Sequence, residues 1–529
     1  MRIGSGIGRT EIGAAILVLV GLLLRLREAA QTFLNPDEAQ YFYLSLPNSL
    51  KQLYPATLST HHPPLLFFIL HPVIAISSSE IALRLFPVLA GSAVGWVAYR
   101  WLTRIWNEGA GLAALIILTF SPNLISLSAQ ARGYSLEMLF AALAILSLDA
   151  ALDTQSVRGI IVFSAWLYLA ILAEYSAAWF AGAAAIYFLL RARESRVSRR
   201  MLLVWAAGQA GALCIYATLY RTSIRPLLAE SLHLTTHGFL VGGFPQVHSN
   251  LLVFAASATV KQFAYAFSST PLGVLAAVLF GAGLVLLWKG RSRLEQVRGR
   301  SLATLLVAPF VLACTGAILG VHPFGKSRHT AILSLFIAAG VGVALERLLR
   351  SRAWIAGFTA LALMAAWLTS AEPDPNNIAA ARHSRQSMIA AIEHLRSSVP
   401  PGSLILTERE TIEVLGYYLS GQLSSQLYKD RERPREMNVG SFRVVSSRGY
   451  GWRDARSFIE DVTEARRDFG LRADEPPWVV DGGWKTDIDA KLTEQDPGLV
   501  LPGFRSFDGA LTLFQLPGSG AGFMRVGTP

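Results

Sequence analysis

The sequence contains little cysteine and little charge for a chain of 529 residues. The two cysteines, Cys214 and Cys314, are too few for a disulfide scaffold or for a cysteine-ligated zinc or iron–sulfur site. Both lie in apolar stretches. Charged residues make up only 16% of the chain, compared with about 25% in soluble proteins. A disordered chain, a collagen and a single soluble core are therefore excluded.

Hydrophobic residues, in contrast, make up 52% of the chain, and the mean hydropathy is +0.41. A helix needs about 20 predominantly apolar residues to cross a bilayer core about 30 Å thick, or fewer if the bilayer thins. The sequence therefore predicts a polytopic α-helical membrane protein with eleven spanning helices. The predicted spans are 12–24, 81–99, 110–127, 134–148, 159–173, 176–190, 201–220, 271–288, 302–320, 330–349 and 353–370.

The basic residues predict how these helices are oriented. A twelfth apolar run, 65–77, contains His71 and Pro72, and we expect it to form a surface-lying or re-entrant helix on the outer side. The loops on the opposite side then collect 18 of the 28 Lys and Arg residues that precede residue 372. The positive-inside rule places those loops in the cytoplasm. We expect a multi-pass protein of the plasma (inner) membrane with a cytoplasmic amino terminus, and no nucleic-acid partner despite the net charge of +11.

Two arginines depart from this rule, because Arg25 and Arg27 lie at the outer end of the first span. Their side chains are expected to snorkel to the membrane surface.

The composition becomes that of a soluble protein after residue 371. The last 158 residues contain 19 basic and 22 acidic side chains. Helical stripes at 388–395 and 458–469 alternate with strand-like segments at 403–407 and 478–481, a pattern typical of an α/β domain. We therefore predict a transmembrane domain over 1–371, with an outer loop at 28–80, and an extracytoplasmic α/β domain over 372–529.

The most informative polar segment is Asn35-Pro36-Asp37-Glu38, just after the first span. Its ordinary meaning is a helix start, with Asn35 as the cap, Pro36 at the first position and Glu38 closing a capping box. A carboxylate fixed at such a helix start is also rigid and aimed, so it can take a proton from an acceptor hydroxyl. Asp37 and Glu38 are therefore the predicted catalytic residues.

Other polar residues gather on the same predicted side. His61 and His62 end the first outer loop. A single histidine there is ordinarily a polar residue at the membrane surface, but a pair directly before a helix start also suits the wall of a cleft. Lys326, Arg328 and His329 occupy a short outer loop in which the positive-inside rule disfavours basic residues. Snorkelling would explain them, but Arg and Lys also suit a phosphate ligand. The remaining candidates for this phosphate site and its cavity wall are Arg84, Arg132, Tyr134, Glu174 and Tyr175.

Several short motifs together resemble a known family. In chain order they are Asp-Glu-Ala-Gln-Tyr at 37–41, His-Pro-Pro-Leu at 62–65, Ala-Leu-Arg-Leu-Phe-Pro at 82–87, Ala-Arg-Gly-Tyr at 131–134 and Arg-His at 328–329. This order resembles the glycosyltransferases of the dolichyl-phosphate-mannose–protein mannosyltransferase type, to which the bacterial aminoarabinose transferases of lipid A are similar. The resemblance covers about 12–370, and His329 stands where that family has tyrosine.

The resemblance implies a GT-C fold and an extracytoplasmic reaction that uses a polyprenyl-phosphate-linked sugar as donor. It implies that Asp37 is the essential acid, with Glu38 as its partner, and that Arg328 holds the lipid phosphate. The acceptor is left open among lipid, protein and polysaccharide, and so is assistance by a divalent ion, although no metal ligands are predicted. The alternatives are a lipid-linked oligosaccharide ligase or polymerase, a transporter or flippase, and a binding protein that acts through its soluble domain.

Overall fold

The computed structural model folds into two compact units. The first unit comprises Met1–Ala29, Thr60–Ile69 and Arg84–Asn377, and the second comprises Ala30–Ser59, Leu70–Leu83 and Ile378–Pro529. The structure describes residues 9–46, 49–58, 60, 62–195, 197–226, 241–246, 248–290, 299–325, 327–350, 384–419, 435–447, 452, 454–469, 476–482 and 487–516. His61, Lys326 and the predicted span 353–370 lie outside these residues.

Helices form the first unit, and three of them also contribute residues to the second unit. The second and third helices of the chain belong to the second unit and are described with it. The helices in chain order are α1 (Arg9–Gln31), α4 (Leu65–Ile76), α5 (Glu80–Ile105), α6 (Glu108–Phe120), α7 (Pro122–Ser128), α8 (Tyr134–Thr154), α9 (Val157–Ala173), α10 (Ala177–Ser195), α11 (Arg199–Leu219), α12 (Leu251–Phe267), α13 (Thr270–Lys289), α14 (Gly299–Ile318) and α15 (Leu333–Leu349). Between α14 and α15 lies a single 3-10 turn, Arg328–Thr330.

Five helices in the described part of the chain are long and apolar enough to cross a membrane. They are α5, α8, the continuous helical stretch Arg199–Ile224, α13 and α14. A sixth span results if α6 and α7, which are bent by 64° at their junction, are taken together. Helices α4, α9 and α12 are apolar but shorter. The predicted surface-lying segment 65–77 is thus a helix, α4, which continues through Pro72.

Helix α12 was not among the predicted spans. It is joined to α13 by a turn in which Ser268 adopts a left-handed conformation, with φ of 51°. The two helices pack very closely, because a Cβ atom on Gly273 would lie 2.4 Å from the backbone nitrogen of Ala264. The polar Lys261 and Gln262 interrupt the apolar run of α12, so this segment does not have the pattern of a spanning helix.

The bend between α6 and α7 is stabilised by a buried arginine. Ser121 caps α7 and Pro122 begins it, so the last carbonyl groups of α6 lack partners in the next turn. Arg25 of α1 donates hydrogen bonds to the carbonyls of Leu118 (2.9 Å) and Thr119 (3.3 Å), and its side chain is 1% exposed. The expectation that Arg25 snorkels to the surface was wrong, because these carbonyls bind it inside the unit.

A second buried charge lies near the carboxyl-terminal ends of α5, α8 and α10. Asp149 accepts hydrogen bonds from the indole of Trp101 (2.7 Å) and the hydroxyl of Tyr187 (2.6 Å), and Arg191 lies 3.8 Å away. Arg191 and Arg104 both pair with Asp153, at 3.1 and 3.0 Å. Because a buried carboxylate needs such donors, the network joins three helices at one point.

The second unit contains a six-stranded sheet with helices. Its strands are β1 (Leu404–Thr407), β2 (Arg435–Val439), β3 (Phe442–Ser446), β4 (Trp478–Asp481), β5 (Arg505–Phe507) and β6 (Leu511–Gln515). Their order is β2-β3-β1-β4-β6-β5, with β1 parallel to β3 and β4 and the other pairs antiparallel. The helices are α2 (Pro36–Leu44), α3 (Leu50–Thr57), α16 (Arg385–Ser398), α17 (Arg409–Leu419), α18 (Ala455–Phe469) and α19 (Ile488–Gln495). The α/β character predicted for the carboxy-terminal part is thus confirmed.

Helix α2 begins with the capping box expected from the sequence. The side chain of Asn35 accepts a hydrogen bond from the backbone of Glu38, and the Glu38 carboxylate accepts one from the backbone of Asn35, both at 3.1 Å. This helix belongs to the same unit as the carboxy-terminal sheet.

Replacing Arg25 tests its role at the bend. The variant Arg25→Leu leaves buried carbonyls of α6 without donors, so the free energy of unfolding should fall by about 1–3 kcal/mol. The matched control is Arg27→Leu, because Arg27 is exposed on the same helix and its loss should change stability by less than about 0.5 kcal/mol. Thermal unfolding in detergent measures both, and equal stability of the two variants would contradict the assignment.

Candidate active site

A cationic and aromatic cluster forms where the 3-10 turn Arg328–Thr330 meets the start of α8, within the first unit. The imidazole of His329 packs edge-on against the ring of Tyr134, with the ring centroids 6.1 Å apart. The guanidinium of Arg132 lies over the same tyrosine ring, 5.2 Å from its centroid, and its side chain is 1% exposed. A cation in this position is attracted by the aromatic face.

The turn that presents Arg328 and His329 is held firmly. Ser327 caps it by accepting a hydrogen bond from the backbone of His329 (3.2 Å), and its hydroxyl is 2.8 Å from the His329 Nδ1 atom. Thr330 donates to the side-chain oxygen of Gln262 (2.6 Å), and the Gln262 amide donates to the Thr330 carbonyl (3.0 Å). The turn is thereby fixed to α12, with Gly325 before it at φ of 121°, a conformation that favours glycine.

A second histidine, His322, belongs to the cluster, although it was not among the predicted site residues. Its ring centroid lies 6.4 Å from that of His329 and 5.8 Å from that of Trp179. Its Nδ1 atom is 3.0 Å from the carbonyl oxygen of Pro323, so this nitrogen carries a proton that it donates to the carbonyl. The proximity of His322 and His329 is not evident from the sequence, because it depends on how the chain folds around the two rings.

Both imidazoles are neutral at neutral pH. Burial lowers the pKa of His322 to about 4, and the hydrogen bond to Pro323 opposes this only in part. Burial also lowers the pKa of His329 well below its usual range, and the positive charges of Arg328 and Arg132 lower it further, as would a proton on His322 or His62. The interaction with His62 shows that this predicted residue lies near the cluster. Among the described residues of this cluster, Arg132 and Arg328 therefore carry positive charge.

An acidic group lies beside the same helix start. Glu174 is 6% exposed, and its Oε1 atom would be 2.9 Å from a Cβ atom on Gly133. Its charge interacts with that of Glu137, which accepts a hydrogen bond from Ser176 at 2.6 Å and is fully buried. Glu137 and Ser176 were not predicted site residues, since a single acid in an apolar helix gives no indication of its partners.

The other predicted residues have contacts of their own. Arg84 is fully buried, and its guanidinium donates to the carbonyl of Ala29 (2.7 Å), so it joins α5 to α1. The carbonyl of Tyr175 accepts a hydrogen bond from the hydroxyl of Tyr216 (2.9 Å) in α11. Asp37 and Glu38 belong to the second unit, on α2. No group of three or more His, Cys, Asp or Glu residues that could hold a metal ion occurs among the described residues.

Chemically, the cluster around His329 suits an anion. Arg132 and Arg328 supply guanidinium groups, which bind the oxygens of a phosphate in a planar, two-pronged manner. The neutral imidazoles can add hydrogen bonds without the cost of placing further charges beside the arginines.

Part of the chain matches a known family. A family model for dolichyl-phosphate-mannose-protein mannosyltransferase matches residues 61–220, which include His62, Arg84, Arg132, Tyr134 and Glu174. A comparison with curated proteins finds no match.

Solved structures of similar fold cover most of the chain. ArnT from Cupriavidus metallidurans in the apo state is 15% identical, with a TM-score of 0.53 over 96% of this chain and 98% of that chain. The same protein bound to undecaprenyl phosphate is 13% identical, with a TM-score of 0.51 over 97% and 98%. The archaeal oligosaccharyltransferase AglB from Archaeoglobus fulgidus, in complex with an inhibitory peptide and a dolichol-phosphate, is 11% identical, with a TM-score of 0.53 over 95% and 74%.

The Archaeoglobus fulgidus oligosaccharyltransferase in its apo form is 10% identical, with a TM-score of 0.50 over 77% of this chain, which spans 63% of its length. These neighbours are glycosyltransferases of the GT-C class, and several apolar helices identify the present chain as a multi-pass membrane protein. The chain therefore has the GT-C membrane fold, and its resemblance to the dolichyl-phosphate-mannose–protein mannosyltransferase type is confirmed.

Proposed function

We propose that the protein is an integral-membrane glycosyltransferase that moves a sugar from a polyprenyl-phosphate donor to an extracytoplasmic hydroxyl or amine. The observation that carries this proposal is the cluster of Arg132, Arg328 and two neutral histidines, an arrangement suited to a phosphate group in a chain with the GT-C fold. The presence of undecaprenyl phosphate and dolichol-phosphate in structures of similar fold supports the choice of donor. The basic loops support a cytoplasmic amino terminus and an extracytoplasmic carboxy-terminal domain in the plasma (inner) membrane.

The proposed chemistry is a single inverting displacement. The acceptor oxygen or nitrogen forms a bond to the anomeric carbon while the bond between that carbon and the phosphate oxygen breaks. The acceptor proton goes to the carboxylate of Asp37, and the electron pair of the broken bond stays on the phosphate. Arg328 and Arg132 stabilise the charge that develops on this leaving group.

The two adjacent acids are assigned different roles. The Glu38 side chain is fully buried and closes the capping box of α2. The Asp37 side chain, one position earlier in the same helix turn, is half-buried. A carboxylate that remains partly exposed can reach a substrate, while one that is enclosed and already bonded to backbone cannot do so without breaking the cap. We therefore propose Asp37 as the proton acceptor, supported by Glu38.

The activity is tested directly by transfer. Purified protein is incubated with labelled polyprenyl-phosphate sugars and a membrane extract, and the label is followed into lipid, protein and polysaccharide fractions. We expect label in one of these fractions that depends on both donor and protein. Absence of transfer with every donor would contradict the proposed function.

Substitution of the proposed base gives the most specific prediction. Asp37→Asn should lower the rate of transfer by about 10²–10⁴-fold, because proton transfer to a positioned base contributes that much. Folding and membrane insertion should be unchanged. The matched control is Glu38→Gln, since glutamine also closes a capping box, and this variant should keep most of the activity. Transfer by Asp37→Asn at the normal rate would refute the assignment.

Substitution of Arg328 tests the phosphate site. Arg328→Gln should lower the rate of transfer by about 10²–10³-fold, as expected when one preorganised donor to a developing charge is removed. The loss should be the same for any acceptor, because the arginine acts on the donor. Arg221→Gln is a suitable control, as Arg221 is exposed and lies outside the cluster. An equal loss in both variants would indicate a general charge effect instead.

The lowered pKa of His322 predicts a pH dependence of stability. The unfolded chain takes up a proton on this histidine near pH 6.5, whereas the folded protein does so only near pH 4. Stability should therefore fall as the pH is lowered from 6.5 towards 4. Thermal unfolding of His322→Gln should show a smaller fall over this range, and His248→Gln, at an exposed position, should behave like the unaltered protein. Identical pH profiles for all three proteins would rule out this role for His322.

A further inference from the structure

The helix that carries Asp37 packs against helix α17 of the carboxy-terminal sheet, within the second unit. The ring of Phe42 in α2 contacts the ring of Tyr417 in α17 edge-on, with centroids 5.1 Å apart. Tyr43 and Leu44 of α2 are fully buried. Helix α2 is thus part of the packed interior of this unit and is not an isolated surface helix.

Helix α17 is in turn tied to the central strands of the sheet. The carboxylate of Glu408, directly after β1, accepts hydrogen bonds from the backbone of Glu410 (2.7 Å) and Thr411 (2.8 Å) at the start of α17. The hydroxyl of Thr411 bonds to the same carboxylate and accepts a hydrogen bond from the backbone of Gly482 (2.7 Å), directly after β4. Because β1 and β4 are parallel neighbours, α17 has a fixed position at their carboxyl ends.

The last turn of α17 carries the residue that reaches the start of α2. The hydroxyl of Tyr418 accepts a hydrogen bond from the backbone nitrogen of Leu34 (2.9 Å), the residue directly before the cap Asn35. The same hydroxyl donates to the carboxylate of Glu80, to which Arg385 also donates. Tyr418 therefore connects the start of α2 to an ion pair in the same unit.

The half-buried Tyr418 hydroxyl forms these bonds with two buried residues. Leu34 is fully buried and Glu80 is 6% exposed, so a donor or acceptor that loses its partner there is not easily rescued by solvent. Two residues before Leu34, Thr32 forms an antiparallel β-bridge with Ser384. The segment that leads into α2 is thus held to the carboxy-terminal part at two points.

We propose that Tyr418 is a positioning residue for the reaction, through which the carboxy-terminal domain fixes the location of Asp37. The capping box sets the conformation of the first turn of α2, and the Tyr418 hydroxyl sets where that turn lies relative to the sheet. This inference rests on the proposed function, because it takes Asp37 as the proton acceptor. A shift of about 1 Å in a catalytic group can lower a rate by about 10²-fold, so a single hydrogen bond at this position matters for rate.

The variant Tyr418→Phe tests the proposal in the full-length protein, since it removes the hydroxyl and keeps the ring. The matched control is Tyr417→Phe, because the Tyr417 hydroxyl donates to the carbonyl of Ser78 (2.7 Å), which lies outside the segment that leads into α2. Two measurements are made on each: amide hydrogen exchange over residues 36–44, and kcat and KM for transfer from the polyprenyl-phosphate sugar that the unaltered protein uses.

We expect Tyr418→Phe to exchange the amides of residues 36–44 faster and to lower kcat by about 10–100-fold, with KM for the donor unchanged. Tyr417→Phe should resemble the unaltered protein in both measurements. Glu80→Gln, which removes the charge that the Tyr418 hydroxyl bonds, should change both in the same direction but less. A general loss of folding would instead accelerate exchange in β1 and β4 as well.

Two results would overturn the proposal: unchanged exchange over residues 36–44 in Tyr418→Phe, or an equal loss of kcat in the Tyr417→Phe control. If the unaltered protein transfers no sugar from any donor, the proposed function fails. The exchange measurement then still decides whether Tyr418 positions α2, since it needs no substrate.

Discussion

Polar groups buried among apolar helices must find their partners within the protein, and much of the first unit is arranged to satisfy this requirement. Arg25 binds carbonyls at a bent helix end, and Asp149 is enclosed by an indole, a hydroxyl and a guanidinium. Gln262 and Thr330 each donate a hydrogen bond to the other. Because an unpaired group in such surroundings is costly, each of these contacts joins helices that are distant in sequence. The turn with Arg328 and His329 is rigid for the same reason.

Local features of the sequence were sufficient to predict several of the secondary-structure elements. The capping box at Asn35 and Glu38, strand β4 and helices α16 and α18 all occur where the sequence pattern predicted them. Each depends on residues within about four positions of one another, so periodicity and capping rules apply directly. Within the first unit, Arg132 and His329 both pack against the ring of Tyr134, and their role as a site stays a prediction.

Features that depend on distant residues were not predictable in this way. Helix α12 was missed because Gln262 interrupts an apolar run, and only its pairing with Thr330 explains why a polar residue is acceptable there. Arg25 was expected at the surface because the carbonyls that bind it belong to another helix, almost one hundred residues away. His322, Glu137 and Ser176 were not predicted as site residues, because the residues they contact are likewise distant in the chain. The association of α2 with α17 depends on side chains nearly four hundred residues apart.

The absence of a side chain at Gly133 has a consequence for how the protein can vary among species. A Cβ atom there would lie 2.3 Å from the carbonyl oxygen of Ala173 and 2.9 Å from Glu174. The backbone of Gly133 has an ordinary conformation, with φ of −72°, so the restriction is one of space alone. Homologous chains should therefore keep glycine between the arginine and the tyrosine of this motif, or else carry a compensating shift of the turn at residue 174.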